Sequence, residues 1–340
     1  MAEYWVNNQA SGANDGSSES DGFLTIQQSM TGVTAGDIIW IKGGSAYTES
    51  VTLLSAGTLT DLIIVEGYET VTGDTGKFIL DGNGGSLTYG IYADNSPGNM
   101  YWYFKNMIVQ NYSSHGIMSQ ASDRIRYFNC ESNNNGGYGF IADNDSMYEN
   151  CLSSGNAGDG FRCDSARFLQ CKSIGNGGYG FYNTYGGTVY YQCISSKNEG
   201  YQVRPGYGSY FFEGIVDGNT SPILRYGYRA GDSDQNIIFN SLFYSCSTAI
   251  HMENDYKYNN IGRNNLLYGN DINYNLWSFS GTDIYDNPLF VDEESGNYNL
   301  QSDSPAINAG IDLSTGTTGM DIGPYQTQDE GSGTRIVMAG

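Results

Sequence analysis

The chain has 340 residues, with 15 Lys or Arg against 37 Asp or Glu and a formal net charge of −22. Phosphate backbones are held by clustered cations, so this balance excludes a nucleic-acid partner, and no apolar run has the length that spans a membrane. Forty-seven glycines and 29 tyrosines beside only 39% apolar residues point to strands joined by tight turns rather than to helices.

In chain order, MAEYWVNNQASGANDG lacks the basic and apolar stretches of a secretory leader, which leads to the expectation of a cytoplasmic product, a mature fragment or a protein that leaves the cell inside a particle. Phe23, Ile26, Gln27 and Met30 fall at i, i+3, i+4 and i+7, a spacing that predicts a short helix able to plug the end of a repetitive fold. Residues 36–53, GDIIWIKGGSAYTESVTL, alternate like a first pair of strands.

A repeat then takes over. Cys130, Cys151, Cys171 and Cys193 recur every 20 to 22 residues, and five residues after each stands Asn135, Asn156, Asn176 or Asn198. Gly139-Phe140, Gly160-Phe161, Gly180-Phe181 and Gly200-Tyr201 follow, with weaker copies at Gly90-Ile91, Gly116-Ile117 and Ala249-Ile250. The period is too short for helical repeats, and the stretch lacks a leucine lattice. What fits is an all-β solenoid, a parallel β-helix whose coils stack at roughly 4.8 Å. Cys130, Cys151, Cys171 and Cys193 form one inward ladder; Phe140, Phe161, Phe181 and Tyr201 form another. The asparagines sit at turns, where amides can bond along the stack. About a dozen coils would make a rod of roughly 50–60 Å.

The opening YWVNNQASGANDGSSESDGFLTIQQSM, the closing DNPLFVDEESGNYNLQSDSPAINAG (286–310) and DIGPYQ (321–326) resemble right-handed parallel β-helix proteins of the pectate-lyase-like superfamily. The resemblance covers about residues 4 to 326. It implies a cap and first coils over 1–60, repeats over 61–275, a closing segment over 276–326 and a flexible tail over 327–340. It also implies that an exposed parallel sheet carries any polysaccharide groove, and that β-helical virion proteins of this kind are often homotrimers.

If Phe140, Phe161 and Phe181 point inward, the residues one and three later point outward. This gives a binding face of Tyr92, Asp94, Tyr182, Arg204, His251 and Glu253, and places Gln202 outside with them. Asp143 and Asp164 would lie on adjacent coils, where they could share a calcium ion or divide acid and base roles, with Arg162 between them; no other cofactor is indicated. The catalytic phrases of the polygalacturonase-like enzymes are broken here: Asn183-Thr184 runs into Tyr185, Ser114 precedes His115-Gly116, and Arg124-Ile125-Arg126 stands where Arg-Ile-Lys belongs. His115 and His251 read as isolated structural histidines. Nine aromatic residues between Tyr182 and Phe212 read as packing or a subunit interface.

The cysteine ladder, with Cys163 beside it, favours buried free thiols over disulfides, because parallel Cβ vectors are badly placed for bridging. Reduced thiols fit folding in a cytosol. The tail TQDEGSGTRIVMAG ends in the apolar Ile336-Val337-Met338, suited to docking on a neighbour. These features favour a non-catalytic structural β-helix on a phage-type virion surface, a capsid decoration or tail-associated subunit, with other virion proteins and polysaccharide as partners. The alternatives are a polysaccharide lyase or glycoside hydrolase and a secreted surface adhesin.

Overall fold

The computed structural model describes residues 1–93, 100–119, 124–142, 144–218, 226–230, 235–252, 260–275, 281–312 and 315–324. Its body is a parallel β-helix of about nine turns, with three faces per coil. One coil shows the plan: Ser146–Glu149 lies on the first face, Leu152–Ser154 on the second and Phe161–Cys163 on the third. The first two faces form one eighteen-stranded sheet, because Trp102–Gln110 and Arg126–Asn133 each run across both; the third face is a separate sheet of ten strands. Ten strands at about 4.8 Å give a rod near 43 Å, shorter than a dozen coils would be.

Corners are made by single left-handed residues. Asn150, Gln170 and Gln192, with φ of 53°, 53° and 52°, turn the chain from the first face to the second just before the cysteine column. Asparagine tolerates this conformation best among residues with a Cβ. Asn134 and Gly155 repeat the device at the next corner, with φ of 56° and 62°.

The core is two interlocked ladders of rings. Phe140, Phe161 and Phe181 stack at 4.8 and 5.0 Å, and Tyr148 and Phe168 from the first face meet them edge-on at 5.5 and 5.3 Å. Each buried ring contributes about 1.5–3 kcal/mol by area, and each such pair roughly 0.5–1.5 kcal/mol more. The six cysteines are free and buried. The Cys171 Sγ donates to Leu169 O and Tyr148 O at 3.3 and 3.4 Å, and burial pushes the Cys130 and Cys171 thiols up.

A second ladder is polar. The Nδ2 groups of Asn135, Asn156 and Asn176 each donate to the Oδ1 of the asparagine one coil on, at 2.9 Å in every case. Asn198 passes the series to Gln202 Oε1 at 2.8 Å. This corrects the expected register. Gln202 is fully buried, and Val203, not Tyr201, pairs with Phe181. The Cys-to-core spacing of ten residues, seen in Cys171 to Phe181, holds for Cys193 to Val203; the Gly200-Tyr201 pair imitates the motif two residues early.

Two further expectations change at the start of the chain. The helix is a single turn, Ile26–Ser29, closed by a Thr25/Gln28 capping box; Ile26 and Met30 still enter the core, with Phe23 packed at its edge. The strands within 36–53 do not pair with each other: Ile38–Lys42 joins the first face beside Glu3–Val6, and Val51–Leu53 joins the third beside Ile91–Ala93. At the far end, Phe290, Tyr298, Ala306 and Ile322 cover apolar outward residues of the second face, among them Ile194, Ile215, Leu242 and Leu266. Among the described residues no helix is long and apolar enough to cross a membrane.

Candidate functional site

The outward surface of the third face carries a strip of tyrosines, histidines and arginines, built from two adjacent columns. The strand column reads Tyr92, Met118, Ile141, Arg162, Tyr182, Arg204, Arg229 and His251, rung for rung. The turn column lies two residues before each inward core residue and holds Tyr89, His115, Tyr138, Asp159, Tyr179, Tyr201 and Tyr226.

Glycine makes the turn column lie flat. A Cβ on Gly158 would stand 2.4 Å from Tyr138 Cδ1, and one on Gly137 2.4 Å from His115 Nδ1. His115, Tyr138, Asp159 and Tyr179 thus each rest across the glycine of the following coil. The second glycine of the motif has another reason: a Cβ on Gly160 would stand 2.1 Å from Ser173 Oγ, which donates to Gly180 O at 2.8 Å. The six positions of Asn-Gly-Gly-Tyr-Gly-Phe therefore serve, in order, as amide ladder, turn, shelf, platform, clearance and core.

The rings and guanidinium groups interleave. His115 stacks on Tyr138 at 4.9 Å, Tyr179 on Tyr201 at 4.9 Å, and Tyr226 on His251 at 4.3 Å. Arg162 lies 5.0 Å from the Tyr138 centroid and 5.2 Å from that of Tyr182. Arg204 is 5.1 Å from Tyr182, and Arg229 is 4.3 Å from Tyr201. Cation–π contacts hold each planar cation against these rings. Arg162 also donates to the Tyr138 hydroxyl at 2.7 Å.

Asp159 breaks the ring series. It is 6% exposed, its Oδ1 accepts from Tyr179 N at 2.8 Å, and its Oδ2 lies 3.9 Å from Arg162. Burial pushes its carboxyl above the ordinary value, against the Tyr179 amide and the Arg162 and Arg204 cations, which pull it down. His115 accepts from Tyr138 N through Nδ1 at 2.9 Å; burial, then Arg162, lowers its pKa, so the neutral ring carries its proton on Nε2.

Of the residues expected from sequence, Tyr92, Arg162, Tyr182, Arg204 and His251 come together here. Asp94, Asp143 and Glu253 lie outside the described residues. Asp164 sits half-buried at the turn after Phe161–Cys163, hydrogen-bonded to Thr184; burial raises its carboxyl. Among the described residues no three His, Cys, Asp or Glu side chains gather to hold a metal ion. Alternation along the sequence missed Asp159, Arg229 and the turn tyrosines, and both histidines belong to the strip rather than standing apart. The available signal was Gly-Tyr-Gly-Phe and Gly-Asp-Gly-Phe, a polar-faced residue held between two glycines. Of the nine crowded aromatics, Tyr190 and Phe211 are core, Tyr182 and Tyr201 join the strip, Tyr191, Tyr210 and Phe212 face outward on the first face, and Tyr185 and Tyr207 are exposed outside these groups.

No family model matches the chain, and no curated protein matches it. Among solved structures, pectate lyase Pel9A superposes with a TM-score of 0.63 at 15% identity, over 96% of each chain. The A-module of mannuronan C-5 epimerase AlgE4 from Azotobacter vinelandii gives a TM-score of 0.49 at 15% identity, over 76% of this chain and 88% of that one. The fold is thus a right-handed parallel β-helix, the architecture the chain shares with pectate lyase Pel9A. At 15% identity to Pel9A the likeness defines the architecture, and the chemistry has to be argued from the strip itself.

Proposed function

We propose that this β-helix binds an acidic polysaccharide along the outward strip of its third face. The observation that carries the reading is the packing of Arg162, Arg204 and Arg229 against tyrosine rings along one surface, on a chain whose net charge is −22. Tyrosine faces stack on sugar rings and offer a hydroxyl, while guanidinium forks match carboxylates. An acidic chain with three cations gathered on one face admits an anionic polymer there and repels it elsewhere. The pectate lyase of the same fold is named for an acidic polymer of this class.

The test is titration calorimetry with acidic and neutral oligosaccharides of equal length. Acidic chains bind, neutral ones bind at least about tenfold more weakly, and Arg204→Ala removes most of the difference. Equal affinity for both classes would sink the reading.

A second reading, turnover of the bound polymer, rests on Asp159, a buried carboxyl beside Arg162 within the strip. Release of reducing or unsaturated ends that Asp159→Asn abolishes would establish it. The virion-surface setting draws on the six free, buried thiols, which suit folding in a reducing compartment; finding the chain in purified particles would support it.

A further inference from the structure

The outward surface of the first face changes character along the rod. One column reads Met147, Arg167, Val189, Tyr210, Ile237, Ile261, and its neighbour reads Glu149, Leu169, Tyr191, Phe212, Phe239, Arg263, rung for rung. From the Arg167 rung to the Arg263 rung neither column holds an acidic residue, in a chain with 37 carboxylate residues. Tyr210 is 37% exposed and Ile261 40%, and Phe212 stacks on Phe239 at 6.1 Å without leaving the surface. Over the same stretch of rod, the chain covers comparable apolar residues of the second face with its own C-terminal segment.

We propose that this face joins two copies of the chain as an antiparallel pair about a two-fold axis. An axis perpendicular to the rod, lying in the interface, sets each column against itself with the rung order reversed. The Val189/Tyr191 rung then meets the Tyr210/Phe212 rung, Leu169 meets Phe239, and Met147 meets Ile261. At both ends the same operation sets Glu149 against Arg263. Apolar therefore meets apolar through the middle except where Arg167 lies opposite Ile237, and the ends are charge-complementary. Other arrangements lose this. A two-fold along the rod sets each rung against itself and leaves Glu149 facing Met147, and a three-fold axis gathers copies of Arg263 with one another. Twelve side chains a partner is about half of a standard interface, so the pair is reversible, with a dissociation constant of micromolar order or weaker.

Sedimentation equilibrium on the full chain, from about 1 μM to about 0.5 mM, tests this directly. A monomer–dimer equilibrium is expected, weakened at least about tenfold by Phe212→Asp and equally by Phe239→Asp, with unchanged circular dichroism because both side chains point outward. Glu149→Arg and Arg263→Glu each weaken it several-fold, and the double exchange restores it to within about twofold. A full chain that stays monomeric or forms trimers overturns the proposal. So does a double exchange no better than either single change, and so does a dimer that appears only after residues 327–340 are removed.

Discussion

Asn156→Ala removes the centre of the buried amide ladder. Its Nδ2 donates to Asn176 Oδ1 at 2.9 Å, Ser132 O at 2.9 Å and Ser153 Oγ at 3.0 Å. Its Oδ1 accepts from Asn135 N at 3.0 Å and Asn135 Nδ2 at 2.9 Å. With Asn156 only 1% exposed, solvent does not replace these partners. A net hydrogen bond is worth about 1 kcal/mol and an orphaned buried partner costs about 1–3 kcal/mol. The Ser153 hydroxyl keeps its bond to Gly160 O at 2.8 Å, and Asn176 Oδ1 keeps the backbone N–H of residue 156 at 3.1 Å, so the loss falls mainly on Asn135 and Ser132. The expected destabilisation is about 4–6 kcal/mol, a large part of the ~5–15 kcal/mol that holds a typical domain. Urea unfolding followed by far-UV circular dichroism measures it, with Asn150→Ala as the comparison. Asn150 is exposed and left-handed, with φ of 53°, and its replacement costs only ~1–2 kcal/mol of backbone strain. Equal losses for the two variants would refute the view that the ladder holds the coils in register.

Gly158→Ala sets a methyl 2.4 Å from Tyr138 Cδ1; the ring must lift, and affinity for an acidic oligosaccharide falls about three- to tenfold, read by calorimetry, while Gly175→Ala, with nothing within 4 Å of its Cβ, leaves affinity unchanged. Binding is salt-dependent because the strip works through Arg162, Arg204 and Arg229: affinity falls steadily with added NaCl, and Arg229→Ala flattens the slope. Burial raises the Asp159 carboxyl, so its proton returns early as pH falls from neutral, removing a negative charge beside Arg162. Acidic ligands therefore bind more tightly on acidification, and Asp159→Asn is tight already at neutral pH and flat below it. The effect on stability has the same sign: with the folded value raised, Asp159 contributes fully below the ordinary carboxylate range and that contribution is lost as pH rises through the folded value. A thermal midpoint that Asp159→Asn leaves with the same pH profile would contradict this.

The repeat was legible because a solenoid places equivalent residues on top of one another, so the periodic columns of cysteine, asparagine and phenylalanine are themselves the packing. The same logic located Arg162, Tyr182, Arg204 and His251 on one face by simple alternation. It failed where a residue's neighbours lie one coil away. Tyr138 needs Gly158, twenty residues on, to lie flat, and nothing in the local sequence shows that contact. The Tyr201 error has a similar cause. A Gly-Tyr pair in that coil imitates Gly-Phe, but Gln202 ends the amide ladder and takes the buried place, which moves the core position to Val203. Alternation alone did not separate the two aromatic surfaces either: Tyr182 and Tyr191 differ by nine residues yet face outward from different sides of the rod.

The most direct test of the central claim is a crystal structure of the chain with an acidic oligosaccharide. The strip predicts sugar rings lying on the turn tyrosines between Tyr138 and Tyr226, with carboxylates in hydrogen-bonding reach of Arg162, Arg204 or Arg229. Ligand seated on the first or second face, with the third face bare, would contradict it.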